Sequence, residues 1–508
     1  MNIGSLLSRH ARYRGEHEAF IIGEQRLNFN ELNSRVNLAA NALLTAGIRK
    51  GEKMATVLPN CEELMLLYWA AAKTGIVIVP SSPLLQASGL ATLLNDSDTV
   101  IVFVDVSFIK MIEKMQDNLP EINKENWILV GEIKESCGFT RWTGFISGVS
   151  DEEPPDANLV DDDVYNIMYS SGTTGAPKGI VHTHYVRANY CTQFASAWRM
   201  SPESVVLHAG AIVFNGAMLD LMPWMYLGAT YVLHQTFDPA EVLKTIFQEK
   251  VTHIVMVPSQ IVALLNHPEF DPKKLSSLEM LQSVGAPLLL EYKQKINESL
   301  PGIFYELYGV TEGFFSILDR DDAVRKIGSV GSVPAFIDIR ILRENGEESG
   351  PNEVGEICGR SAMMMQGYYN RPDLTEKTIV NNWLHSGDLG YMDDDGYLFL
   401  VDRVKDMIIS GGVNVFPKDI EEIIIKHPEV AEVAVFGVPD KRWGETPVAA
   451  VICHADHNVT ADILKAWTNQ KVDAKFQRVK EILILDSFPR NVAGKTLKRE
   501  MREAYLNS

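Results

Sequence analysis

Short apolar runs alternate with helical patterns along most of this chain. MATVLP (54–59) reads as a strand, a helix is expected from about Cys61 to Thr74, and IVIVP (76–80) follows. After another helical stretch comes TVIVFVD (99–105). The apolar run Tyr165 to Tyr169 predicts a buried strand, with a helix from about Tyr185. VTHIVMVPS (251–259) and EMLQSVGAP (279–287) repeat the unit of strand, turn and helix. Strands and helices in alternation predict an α/β architecture with stacked, mostly parallel sheets.

The pattern changes near residue 400. Asp395-Gly396 sits between apolar runs as a hairpin turn. Gly411-Gly412 interrupts the next run, and Pro417 opens a helix with Asp419, Glu421 and Glu422 in its first turns, where acids suit the dipole. VAEVAVFGV (430–438), TPVAAVICH (446–454) and a helical segment near Ala461 to Asn469 complete a small α/β module. Its size, roughly 100 residues, is that of an independent domain. The predicted division is a large domain over 1–402 and a small one over 403–508. The acidic, proline-containing stretch from Glu132 to Asp163 is expected to run over the surface.

A chain of 508 residues exceeds what one core supports, which agrees with two domains. With 46% hydrophobic and 22% charged residues it has an ordinary globular composition. The net charge of −19 argues against nucleic acid as a partner and requires that any polyanionic substrate meet locally placed cations. Cys61, Cys137, Cys191, Cys358 and Cys453 form no CxxC pair, so reduced thiols and a cytoplasmic location are expected. Arg9, Arg12 and Arg14 faintly suggest a transit peptide, but the folded pattern begins soon after them. The most apolar long window, Ala209 to Leu233, contains Asn215, Asp220 and Pro223 and suits a buried wall better than a transmembrane segment.

The densest chemistry lies in YSSGTTGAPKGIVHTH (169–184). Ser170, Ser171, Gly172, Thr173, Thr174 and Gly175 bring hydroxyls and backbone N–H groups together, and Lys178 adds a flexible charge: a phosphate cradle. A Walker A loop fails on spacing, because Pro177 precedes the lysine and Gly179 follows it. Gly285-Ala286-Pro287 lets a strand end turn sharply beside a ligand. In Tyr308-Gly309-Val310-Thr311-Glu312 a hydroxyl and a carboxylate one residue apart are hard oxygen ligands suited to Mg²⁺. A helix start, with Thr311 as cap, is the competing reading of the same residues. Asp388 is a lone carboxylate able to accept from a ribose diol.

SSGTTGAPKG resembles the signature loop of the adenylate-forming superfamily, which comprises acyl- and aryl-CoA synthetases, nonribosomal adenylation domains and firefly-type luciferases. The likeness continues in the family's order through the GAP turn, YGVTE, SGD with Asp402-Arg403, and NVAGKTLK, from about Leu27 to Arg499. The resemblance implies that the loop, Lys178, Tyr308 and Gly309 bind ATP and AMP, that the GAP turn packs on adenine, and that Thr311 contacts phosphate. It implies further that Glu312 holds Mg²⁺, that Asp388 and Arg403 grip the ribose, and that Lys495 bridges the substrate carboxylate and the α-phosphate. Lys405 is then the hinge about which a small mobile C-terminal domain turns, and Gly411, Gly412 and Trp443 lie toward coenzyme A.

These implications lead to an acid–thiol ligase that joins a carboxylic acid to AMP and then to coenzyme A. A free-standing enzyme loading a carrier protein is the alternative within the class; a luciferase-like oxygenase or a silent nucleotide-binding regulator is the alternative outside it. The expected partners are a small acid, ATP, Mg²⁺ and coenzyme A, with a homodimer as the assembly. For the acyl pocket the segment AGAIVFNGAMLDLM (209–222) offers Val213, Phe214, Asn215 and Met218 where many relatives carry a histidine or another aromatic residue. Asn215 favours a polar substituent, whereas Phe214, Met218, Met222 and Phe315 favour an apolar acid.

Overall fold

The computed structural model describes residues 1–115, 119, 122–132, 139–170, 178–403, 406–410, 413–454, 459–472, 474–490 and 496–507, the side chains of Ser170 and Asn414 excepted. They form two compact units, one of Met1–Asp338 with Gly359–Leu384, the other of Ile339–Cys358 with His385–Ser508. The chain therefore passes between units within the sheet that contains Ile337–Leu342, Gly355–Ser361 and Trp383–Met392, and both sides of Lys405 belong to the second unit.

Two sheets, each of eight strands among the described residues, build the first unit. One runs, edge to edge, Phe314–Leu318, Phe304–Val310, Met280–Val284, His253–Met256, Val205–His208, Thr230–Leu233, Glu18–Ile22 and Gln25–Asn28. The other runs Gly367–Tyr368, Lys178–Thr183, Val164–Ser170, Val77–Pro80, Lys53–Val57, Thr99–Asp105, Trp127–Val130 and Thr140–Arg141. Their interiors are parallel, as the alternating pattern predicts. Their edges at Phe304–Leu318 and at Val164–Thr183 with Gly367–Tyr368 are antiparallel.

Helices Glu62–Thr74, His184–Ala197 and Asn215–Leu227 tie the two sheets together. Every residue from Leu64 to Thr74 is buried, which is how a helix covered on all sides reads. The Tyr165 hydroxyl, from the second sheet, donates to Tyr68 O at 3.2 Å, and the Tyr68 hydroxyl donates to Ile212 O at 2.8 Å. Trp69 meets Trp224 edge-on at 6.0 Å, and Trp224 Nε1 donates to Ala19 O at 3.1 Å in the first sheet. Each fully buried aromatic of this kind contributes about 1.5–3 kcal/mol through the area it removes from water. Local signals set the helix ends. Asn28 and Glu31 form a reciprocal capping box, and Thr183 Oγ1 accepts from Val186 N at 3.2 Å to open the helix after the Lys178–Thr183 strand.

The acidic stretch after residue 139 runs over the surface as expected, but it is also pinned. Buried Lys73 donates from Nζ to Glu153 Oε2, Asn33 Oδ1 and Asn37 Oδ1, each at 2.7 Å. In the second unit Val430–Asp440 and Gly444–Cys453 form a long hairpin, joined by Glu481–Ile484 in parallel and by Ile408–Ser410. Pro417 opens the helix Pro417–Ile424 and Gly396 (φ +80°) closes the predicted hairpin turn. Among the described residues no helix is long and apolar enough to cross a membrane.

Candidate active site

The antiparallel edges of the two sheets meet around Thr311 and Glu312. These residues occupy the turn between strands Phe304–Val310 and Phe314–Leu318, so the helix-start alternative does not describe them. Glycine makes the turn possible twice. A side chain on Gly309 would lie 2.9 Å from Phe315 Cβ, and one on Gly313 (φ +142°) 2.2 Å from Met364 Cα. The other edge then locks the turn. His182 Nε2 lies 2.9 Å from Thr311 O, and Met365 N donates to Glu312 O at 2.7 Å.

Strand Lys178–Thr183 supplies His182 to that lock and begins at Lys178. Lys178 faces Ser170 across the hairpin, and its Nζ lies over the Tyr368 ring, 5.2 Å from the centroid. The Tyr368 hydroxyl donates to Glu312 Oε1 at 2.8 Å. The lysine and the carboxylate named from sequence therefore sit on either side of one tyrosine. Ser171, Gly172, Thr173, Thr174 and Gly175, with the side chain of Ser170, lie outside the described residues, as do Lys405, Gly411, Gly412 and Lys495.

Behind the strand lies a buried polar network. Arg187 Nε donates to Asn166 Oδ1 at 2.9 Å, Arg187 Nη2 lies 3.1 Å from His182 Nδ1, and the guanidinium sits 4.6 Å from the centroid of the Tyr190 ring. Burial, and then the Arg187 charge, drive the His182 pKa well below the usual imidazole range. A neutral His182 that accepts from Arg187 at Nδ1 must carry its proton on Nε2 and donate it to Thr311 O. Sequence reading passed over His182, Arg187 and Tyr368. The available signal was that His182 shares the strand of Lys178, and that Tyr368 follows a glycine just before a proline-opened helix.

The remaining predicted residues fall in separate places. Gly285 (φ +90°) ends strand Met280–Val284, and Ala286 and Pro287 lead to helix Leu290–Ser299. Tyr308 is buried edge-on to Phe314 at 6.5 Å. Val213 and Met218 are buried, and Phe214 and Asn215 open helix Asn215–Leu227. Asn215 Nδ2 donates to the Tyr190 hydroxyl at 3.3 Å, while its buried Oδ1 meets no partner among the described residues. Tyr190 packs on Phe194 at 5.3 Å and Phe194 stacks on Phe315 at 4.7 Å, so this wall reaches the strand that follows Glu312.

In the second unit Asp388 and Arg403 are direct cross-strand partners, with Arg403 Nε 3.2 Å from Asp388 Oδ1. The strand just before Asp388, where Gly387 has φ +70°, is held by Gly387 N donating to Glu356 Oε1 at 3.0 Å and Ser386 Oγ donating to Ile357 O at 2.6 Å. Trp443 lies at the tip of the long hairpin, where Asp440 Oδ1 accepts from Arg442 N and Trp443 N.

His184 carries a testable electrostatic consequence. It begins helix His184–Ala197, fully buried, with neither ring nitrogen meeting a partner among the described residues. Burial lowers its pKa from 6.5 to about 4, against an opposing pull from Asp163. The unfolded chain binds the extra proton between those values, so stability is intact above pH 6.5 and falls by roughly 3 kcal/mol as pH drops to 4. His184→Phe, which keeps the ring against Tyr165, is expected to unfold near the wild-type urea midpoint at neutral pH and to lose less on acidification. An identical acid-dependent loss in both proteins would show that His184 does not supply it.

The AMP-binding enzyme family model matches residues 7–369, and the AMP-binding enzyme C-terminal domain model matches 419–495. A feruloyl-CoA synthase of an Amycolatopsis species is 33% identical over 508 residues, covering 99% of this chain and 99% of its own. A long-chain-fatty-acid–CoA ligase of Mycobacterium tuberculosis is 32% identical over 520 residues, covering 99% of this chain and 98% of its own. Among solved structures, ATP-bound MatB from Rhodopseudomonas palustris matches with a TM-score of 0.88 at 26% identity, over 99% of each chain.

Proposed function

This chain belongs to the AMP-binding enzyme family, and on that premise we propose that it is an ATP-dependent carboxylic acid–CoA ligase whose adenylation centre is built on Lys178, Thr311 and Glu312. The observation that carries this reading is the meeting of the two antiparallel edges, which brings an ammonium and a carboxylate from distant parts of the chain to one tyrosine, with Thr311 next to the carboxylate in the chain. Similarity to CoA-forming relatives supports coenzyme A as the acceptor over a carrier-protein thiol.

The chemistry asks for position and charge. The substrate carboxylate oxygen attacks the α-phosphorus of ATP, the new P–O bond forms as the bond to pyrophosphate breaks, and the acyl group gains a good leaving group. No protein nucleophile takes part. Lys178 meets phosphate charge, the Thr311 hydroxyl donates to a phosphate oxygen, and Lys495 sits at the reacting oxygens. Glu312 fits a hard cation because its half-buried carboxylate keeps one oxygen beyond the Tyr368 bond. Mg²⁺ held there would neutralise triphosphate charge. In the second half-reaction the thiol sulfur attacks the acyl carbon, the thiol proton is lost, and AMP leaves.

Asp388 and Arg403 supply the ribose grip, with the bond from Gly387 N to Glu356 fixing the strand at Asp388. Lys405 is the proposed pivot between half-reactions. Lys418 Nζ donates to Leu400 O at 2.7 Å and Lys418 N donates to Asp402 Oδ2 at 3.1 Å, so turning about Lys405 requires these bonds to be exchanged. Unpaired cysteines at 61, 191, 358 and 453 support a cytoplasmic, reducing location.

For the acid itself, the Met218, Phe214 and Phe315 surroundings support an apolar body, and the orphan Asn215 Oδ1 supports one hydrogen-bond donor on it, as on a hydroxylated aryl acid. The test is pyrophosphate release across matched acids with and without a hydroxyl, followed by thioester formation with CoA. Hydroxylated aryl acids are expected to lead by about tenfold in kcat/KM. That lead should shrink in Asn215→Leu. Equal use of the matched acids by the wild type would remove Asn215 from the specificity argument, and pyrophosphate release without any thioester would overturn the choice of CoA.

A further inference from the structure

Tyr368 has no role in the scheme above, yet it touches both charged groups of the adenylation centre. Its backbone is set by pairing with Ile180 and by Tyr368 N donating to Thr375 Oγ1 at 2.9 Å. Gly367 before it holds φ +154°, where a side chain would press on Thr375 at 3.0 Å. The ring is buried with Ile180 and Met365 and with partly buried Leu374 and Ile379. Tyr368 is thus fixed from its own strand and from the helix Pro372–Thr378 that follows, before any ligand arrives.

We propose that Tyr368 is a positioning residue of adenylation, whose ring seats Lys178 and whose hydroxyl orients Glu312 while keeping the ammonium and the carboxylate from pairing with each other. The inference rests on the reading of Glu312 as the metal carboxylate. Its physical basis is that Lys178 and Glu312 carry opposite charges and approach the same side chain from two sheets. A direct ion pair between them would withdraw the lysine from phosphate and the carboxylate from Mg²⁺ together. The ring offers the ammonium a face that attracts cations, and the hydroxyl satisfies one carboxylate oxygen while leaving the other available.

Two substitutions separate the two functions. Tyr368→Phe keeps the ring under Lys178 and removes the hydroxyl with its bonds to Glu312 and Thr378; Tyr368→Leu removes the ring as well. Binding of Mn²⁺ to the enzyme–ATP complex, followed by electron paramagnetic resonance without acid or CoA, reads the metal site directly. Expected is about a tenfold weaker Mn²⁺ affinity in Tyr368→Phe with ATP affinity near wild type, and loss of both affinities in Tyr368→Leu. Single-turnover pyrophosphate release should show the same split, with excess Mg²⁺ rescuing Tyr368→Phe but not Tyr368→Leu. Thermal midpoints accompany each variant, and Tyr368→Phe preserves the packed ring should Tyr368→Leu fold poorly.

Glu312→Gln serves as the reference. If it weakens Mn²⁺ binding while Tyr368→Phe leaves it unchanged, the positioning role is overturned and the metal assignment stands. If Glu312→Gln leaves Mn²⁺ binding unchanged, the metal assignment itself fails and takes this inference with it.

Discussion

Replacing Lys495 by alanine is expected to slow acyl-adenylate formation about a hundred- to a thousandfold, while thioester formation from a supplied acyl-adenylate stays within a few-fold of wild type. Joining two anionic groups, a carboxylate and a triphosphate, gathers negative charge at the reacting oxygens. In a chain of net charge −19 this can be offset only by cations placed at the spot. A preorganised ammonium there is worth about 3–4 kcal/mol of transition-state stabilisation. Attack of a thiol on the mixed anhydride expels AMP and makes no new bond to phosphorus, so the same charge has little to do in the second step. Single-turnover pyrophosphate release and thioester formation from synthetic acyl-adenylate separate the two. Equal losses in both would remove Lys495 from its role and, with it, the proposal that a turn about Lys405 brings it to only one half-reaction.

Glu312→Gln is expected to cost about a hundredfold or more in pyrophosphate release at millimolar Mg²⁺, with the unfolding midpoint almost unchanged. Glutamine is close to glutamate in size and can still accept from the Tyr368 hydroxyl, so the turn between the strands survives and only charge is lost. Because the side chain is half-buried and is not part of a buried ion pair among the described residues, its effect on stability should stay within about 0.5 kcal/mol. Titration of the rate with Mg²⁺ should show a weakened and poorly saturating dependence. Normal turnover with the wild-type Mg²⁺ curve would show that Glu312 only shapes the turn.

Much of this protein was readable because its chemistry is local. The SSGTTGAPKG string, the GAP turn, the YGVTE segment and the SGD motif each place their groups within a few residues. Backbone and side chain at that scale follow from glycine, proline and hydroxyl chemistry. Asp388 and Arg403 were named separately, and the structure adds that they face each other across a hairpin. Thr311 and Glu312 were ambiguous because threonine, glutamate and glycine suit a helix start and a strand turn alike. The choice was made by a strand after them, Phe314–Leu318, packed back onto Phe304–Val310. The large domain expected over 1–402 does not coincide with a compact unit, since residues 339–358 and 385–402 group with the C-terminal part. No composition shift marks those crossings, because all three fall within strands of one sheet.

By itself the sequence determined the parallel α/β interior, the strand and helix order, and the candidates for the groups proposed to meet phosphate, metal and ribose. Periodicity and short motifs encode them within a window of a few turns or strands. Only the tertiary structure decided that both sheets end in antiparallel edges and that these edges meet. His182 from one then holds Thr311 of the other, and Tyr368 stands between Lys178 and Glu312. Those contacts join residues far apart along the chain, and strand pairing across such separations is set by burial and hydrogen-bond completion of the whole sheet. No local stretch of sequence carries that information.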